Sequence, residues 1–267
     1  MDMRFSWAQR EALIEKIRSH LIEQRPLSLL RLGDGEGYVY DAPEVAGIAP
    51  ALFDDDNRVR ERHWWGSTPE KQVRADIARR VRTAVATCDI LGLPSVYRVV
   101  RDLPSPGTRY GANRSQRGLI VVLAACGSAI PLDGKFVTEE RCHQVAIDES
   151  TLVDLASEAC SVVVVSCWSA DQLKLPFAGV KHIVIPPAEK VKRADQSDIR
   201  PLHQTYPDIV DEIHALSRPG TLVLVGAGII GKFLIDEARQ NGAVAIDVGS
   251  MLDYFAGRKT RSLADMI

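Results

Sequence analysis

Four apolar runs dominate the second half of the chain: "SVVVVSC" (161–167), "KHIVIP" (181–186), "TLVLVG" (221–226) and "AVAIDV" (243–248). Each is of strand length and rich in Val or Ile, and helix-length segments such as 207–217 and 229–241 lie between them. Strands that read as continuous apolar runs are buried on both faces, and strands alternating with helices build a parallel sheet. The expected fold class is therefore α/β: a Rossmann-like doubly wound, mostly parallel sheet with helices on both faces.

The first half fits the same scheme. Ser6 and Gln9 form a plausible capping box, and Leu13, Ile14, Ile17 and Leu21 share one face, so a helix is expected over 7–24. "LSLLRL" (27–32) follows as a strand. A second helix is expected to start with Thr68 as cap and Pro69 in its first turn, with Val73, Ile77, Val81 and Val85 on its buried face. "CDILGLP" (88–94) reads as a short buried strand, and 115–126 as helix or strand, with its length and the following Gly127 favouring helix. No repeat, low-complexity linker or composition break divides the 267 residues, so one domain over 1–267 is expected.

Composition narrows the function classes. With 46% hydrophobic and 25% charged residues the chain has the make-up of a soluble globular protein, which excludes general disorder. A net charge of -2 provides no overall field for nucleic acid or an anionic membrane, although "KVKR" (190–193) is locally basic. The longest uncharged run, 118–132, is 15 residues, too short for a membrane span. The first residues meet charge too soon for a signal peptide, and five scattered cysteines without a CxxC pair suit reduced thiols, so a cytoplasmic location is expected. A homo-oligomer is compatible with the sequence.

The chemistry is expected where "LSLLRL" runs into "GDGEG". Ligands of open α/β sheets bind outside the carboxyl ends of the strands. If the extended conformation persists through residue 36, Asp34 and Glu36 point to one side and both carboxylates reach one cation. Mg²⁺ and Mn²⁺ suit such a pair, since they take carboxylate, water and phosphate oxygens. The alternative from the residues alone is a glycine turn carrying two solvated acids.

Three blocks of this sequence resemble one known family. "LLRLGDGE" is similar to the "RFGDGE" signature of GT-D type glycosyltransferases, "CDILGLP" to a strand of that family, and "VGAGIIGKFLIDEARQNGAVAIDVGSMLDYFAG" (225–257) to its C-terminal block. The resemblance implies a GT-D type fold and transfer of a sugar from a nucleoside diphosphate sugar to a hydroxyl of a glycan or glycoconjugate acceptor, in cell-surface polysaccharide biosynthesis. It implies Mn²⁺ or Mg²⁺ on Asp34 and Glu36. It places Gly33 at the donor's mouth, with Arg31 either a positive group there or a salt bridge that positions the acids, and Gly226, Gly228, Gly231 and Lys232 as phosphate or nucleotide contacts. Asp247 and Asp253 become candidates for proton acceptor, and His143 falls at the edge of the site.

"GAGIIG" is also a literal GxGxxG after a strand, with Asp247 at the end of the next strand. That pattern keeps an NAD-dependent oxidoreductase open. Such a fingerprint normally occupies the first βαβ unit, whereas here most of the sequence precedes it, and Lys232 at the helix start suits a phosphate of either ligand. A non-catalytic sugar-nucleotide-binding protein of a glycan assembly system is the third reading. Elsewhere, "DDD" (54–56) reads as solvated loop or cap residues, and "HWWG" (63–66) as a stacking surface or a buried anchor.

Overall fold

The computed structural model describes residues 7–95, 98, 113–193 and 196–258. Among them are seven strands: β1 (Leu27–Arg31), β2 (Ile90–Leu93), β3 (Phe136–Glu139), β4 (Ser161–Ser166), β5 (Val180–Val184), β6 (Thr221–Val225) and β7 (Val244–Asp247). They form one sheet in the order β3-β2-β1-β7-β6-β4-β5, and each described pairing is parallel. The α/β expectation holds, with the sheet wholly parallel rather than mostly so.

Ten described helices flank it: α1 (Trp7–Ile22), α2 (Ala42–Val45), α3 (Pro50–Trp65), α4 (Lys71–Thr87), α5 (Arg114–Cys126), α6 (Cys142–Val145), α7 (Glu149–Glu158), α8 (Leu202–Leu216), α9 (Gly231–Gln240) and α10 (Met251–Phe255). Successive strand side chains alternate faces, which is why the apolar runs feed two cores. Leu30, Val163, Val165, Val223 and Val225 meet Ile77, Val81 and Val85 of α4, Val121 and Val122 of α5, and Phe233 of α9. Leu27, Leu29, Val162, Val164, Leu222 and Leu224 meet Leu13, Ile17 and Leu21 of α1 and Leu152 and Leu155 of α7 on the other face. Among the described residues no helix is long and apolar enough to cross a membrane.

Several local expectations are corrected. α4 begins at Lys71 behind Glu70, since Gly66 to Glu70 lie outside both α3 and α4; Thr68 does not cap it. α8 begins at Leu202 and carries Pro207 inside, at the cost of the bond that a Pro207 N–H would have made to the carbonyl of His203. "DDD" lies within α3 rather than in a loop. β3 and α3 were not anticipated. Ser6, the expected cap of α1, lies outside the described residues.

Candidate active-site cleft

Leu32 N still donates to Gly92 O at 2.8 Å, but beyond it the chain leaves the sheet and enters a 3-10 turn, Asp34–Val39. The expected extended run through residue 36 is therefore overturned. At three residues per turn, side chains two apart diverge by about 120°, so Asp34 and Glu36 face different surroundings. The turn is set by contact with α5: a Cβ on Gly37 would lie 2.7 Å from Gly118 O, and one on Gly118 would strike the Asp34 carbonyl oxygen. The neighbouring glycines are bare for similar reasons. A Cβ on Gly33 would come 3.0 Å from Glu140 Oε2, and one on Gly35 3.3 Å from the Trp64 ring.

Glu36 folds back into the protein. Its Oε2 accepts from Gly33 N at 2.6 Å and its Oε1 lies 3.2 Å from Lys232 Nζ. Lys232, buried at the start of α9, also donates to Asp247 Oδ2. Asp247, at the end of β7, receives Arg31 Nη2 on Oδ1 at 2.8 Å, and its carbonyl oxygen receives Arg31 Nε at 3.0 Å. Burial alone would raise the Asp247 pKa, but Arg31 and Lys232 outweigh it and hold the carboxyl well below the usual range. Arg31 Nη1 donates to Glu140 O at 3.0 Å and faces His143 Nδ1 at 2.7 Å. His143 Nε2 lies 3.1 Å from the same atom, and because a guanidinium only donates, the ring nitrogen that takes this bond is its acceptor.

On the β2 and β3 side, Arg98 donates to Glu140 Oε1 at 2.9 Å and to Asp34 Oδ1 at 3.3 Å. Burial pushes the Glu140 pKa up, against Arg98 and Arg31 and reinforced by Asp34 and Glu36. Exposure separates the acids: the Asp34 side chain is 33% accessible, whereas Glu36, Glu140 and Asp247 are at 10%, 6% and 7%.

These groups line a cleft of about 580 Å³ across the carboxyl ends of the strands. α3 forms one wall. Arg60, His63 and Trp64 reach the cleft from it, and Trp64 is held edge-on to Tyr38 at 5.5 Å and to Trp65 at 5.6 Å. Tyr38 is itself fixed by donating to buried Glu61 at 2.7 Å. Asp56, contrary to the solvated reading of "DDD", is buried and accepts two bonds from Arg117, both at 2.6 Å. Asp253 and the loop residues Gly226 and Gly228 also line the cleft.

Comparison with known proteins adds the fold's affinity. No protein-family model matches the sequence, and no curated protein does so. Solved structures do match. One, described as "The highly conserved domain of unknown function 1792 has a distinct glycosyltransferase fold", aligns with 96% of this chain and 88% of its own at a TM-score of 0.50 and 15% identity. Another, "A New Glycosyltransferase (DUF1792) from Streptococcus sanguinis", aligns with 93% of this chain and 85% of its own at a TM-score of 0.50 and 17% identity.

The chain shares the fold of these structures. At these identities the likeness is one of architecture, and the fold brings most of the expected residues together. Arg31, Gly33, Asp34, Glu36, His143, Gly226, Gly228, Lys232, Asp247 and Asp253 all line the one cleft. Gly231 does not line it: a Cβ there would press on Val225 and Ala227 at 3.2 and 3.3 Å, so this glycine seats α9 on β6. Lys232, expected to meet a phosphate, spends its ammonium on Asp247 and Glu36.

The donor set accommodates a divalent cation in a limited way. Among the described residues no group of three His, Cys, Asp or Glu side chains converges as ligands. Asp34 fits an ion that takes one or two carboxylates and fills its shell with water and phosphate. Glu36 fits only by sharing Oε1 with Lys232. Sequence reasoning missed Glu140, Arg141, Arg98 and Arg60. The signal for two of them was the charged "EER" immediately after the strand-length "KFVT".

Proposed function

We propose that the protein is a metal-dependent glycosyltransferase that moves a sugar from a nucleoside diphosphate sugar to a hydroxyl acceptor in cell-surface glycan assembly. One observation carries the reading: Asp34, alone among the four acids around Gly33, keeps an accessible carboxylate, and it does so beside Arg98 at the sheet's carboxyl edge. Its place in a glycosyltransferase fold supports the same view.

In this reading Asp34 would hold Mn²⁺ or Mg²⁺ with water and phosphate completing the shell, while Glu36, expected as a second ligand, stays on Gly33 N and Lys232. Such a cation, when bound, stabilises the negative charge that grows on the departing diphosphate. Arg98 adds a second positive group next to Asp34. Arg31 and Lys232 fix Glu36 and Asp247 in place, and His143 buttresses Arg31. Asp247, strongly acidic and bonded to two cations, is a poor proton acceptor. Asp253, whose Oδ1 accepts from Trp168 Nε1 at 2.9 Å, takes the proton of the acceptor hydroxyl.

The glycine fingerprint favours NAD as a second ligand. Against it, both Asp247 carboxylate oxygens, which a ribose would need, are taken by Arg31 and Lys232. Gly226 has a packing reason too, since a Cβ there would come 2.8 Å from Leu252. A panel of nucleoside diphosphate sugars, NAD and Mn²⁺ in thermal-shift assays tests the choice. The transferase reading expects a joint shift by one sugar nucleotide with Mn²⁺, abolished by Asp34→Asn. A shift by NAD alone, untouched by that substitution, would replace it with the oxidoreductase. Binding without turnover in any acceptor mixture would favour a non-catalytic sugar-nucleotide binder.

A further inference from the structure

The cleft changes character along the sheet. Beyond β5 its lining includes the apolar Ile185, Pro186 and Val191 together with Trp64; beyond β2 and β3 it includes Arg98 and Arg141, with Arg60 and Arg114 from α3 and α5. Asp34 lies between the two. Of the four guanidiniums, Arg98 is paired with Glu140 and Asp34, and Arg114 lies 3.5 Å from Asp56.

Arg60 and Arg141 differ. Both are buried, at 7% and 6% exposure, and their hydrogen-bond partners among the described residues are neutral, although Asp34 and Asp56 lie close enough to Arg60 to act on its charge. Arg60 donates to Arg114 O at 2.9 Å and Asn57 Oδ1 at 3.4 Å, and Arg141 Nε donates to Gln144 Oε1 at 3.3 Å. Arg141 Nη2 is buried with no hydrogen-bond partner among the described residues. For Arg141, a buried charge with no counter-ion bonded to it among the described residues is destabilising, and a bound anion removes that penalty.

We infer that the β3 end of the cleft is an anion subsite, where Arg141, assisted by Arg60, binds a phosphate or carboxylate on the transferred sugar or on the acceptor. The inference rests on the glycosyltransferase reading and on direction. With the diphosphate at Asp34 and the base against the apolar residues by Trp64, the sugar and acceptor point toward β3. The substrate class is then an acidic sugar or an anionic glycoconjugate rather than a neutral glycan.

Calorimetry with Mn²⁺ tests this in two arms. The first compares UDP-glucuronate with UDP-glucose; the second titrates glucose 6-phosphate against glucose into protein saturated with UDP. In one arm wild type prefers the anionic ligand by about tenfold or more, the scale of one charge-assisted pair. The arm that shows it identifies the source. Arg141→Gln abolishes the preference, Arg141→Lys keeps part of it, and UDP affinity changes by less than about twofold. Arg141→Gln also melts at or above the wild-type temperature, which separates loss of the subsite from unfolding.

No preference in either arm overturns the inference. So does a tenfold loss of UDP affinity in Arg141→Gln, which would assign Arg141 to the diphosphate. If no nucleoside diphosphate binds, the donor reading fails, and glucose 6-phosphate titrated into free protein decides the subsite by itself: binding that needs Arg141 supports it, and no binding overturns it.

Discussion

Arg31 Nη2 donates to Asp247 Oδ1 at 2.8 Å while Arg31 Nε donates to the Asp247 backbone oxygen at 3.0 Å. The ends of β1 and β7, adjacent in the sheet, are thereby tied through both side chain and main chain. Removing one partner of a buried pair strands the other charge. Asp247→Asn is expected to lose about 3 kcal/mol, read by urea denaturation at neutral pH.

Acid titration checks a different carboxylate. Asp148 caps α7, accepting from Thr151 N at 2.9 Å, and also pairs with Arg10. Its burial is outweighed by these bonds, and its pKa falls to about 2. A depressed folded-state pKa means that the stabilisation is complete above the unfolded value near pH 4 and is lost as pH falls toward 2. Asp148→Ala should cost about 1 kcal/mol at pH 7, and the gap from wild type should close across that window in a pH series of melting curves.

The two acids of the "GDGEG" turn should part company. Glu36 is fixed by Gly33 N and Lys232, so Glu36→Gln is expected to lower stability by about 2 kcal/mol. Asp34 is more exposed, and Asp34→Asn should hold stability to within about 0.5 kcal/mol while removing any Mn²⁺-dependent thermal shift. Denaturant and metal titrations on both variants check this. Equal stability losses would mean that the turn treats the acids alike.

Gly118→Ala is a remote test of the turn. The new methyl would strike the Asp34 carbonyl oxygen and lie 2.6 Å from Arg60 Nη2. Overpacking of this kind costs about 1–3 kcal/mol. It should also weaken the response to Mn²⁺ plus donor, although residue 118 carries no side chain of its own to the cleft.

The parallel sheet was legible because its inner runs, such as "SVVVV" and "TLVLV", are buried on both faces and so lack polar interruptions; "KHIVIP", read the same way, forms the edge strand β5, of which only Ile183 is buried. β3, "FVTE", was not, being a four-residue edge strand that ends in buried polar groups whose partners come from other parts of the chain. The mouth of the site was legible through its glycines. Its geometry was not, because the 3-10 turn depends on Gly37 meeting Gly118, 81 positions away. Lys232 shows the same limit. Its place at a helix start suggested a phosphate, but Asp247 and Glu36, brought in by tertiary packing, claim its ammonium.

Donor cleavage tests the central claim most directly. Incubating the protein with a panel of sugar nucleotides and Mn²⁺, with and without glycan acceptors, and measuring free nucleoside diphosphate should show release from one donor by wild type and none by Asp34→Asn. Release that persists unchanged in Asp34→Asn, or NAD reduction with no release from any donor, would contradict the account.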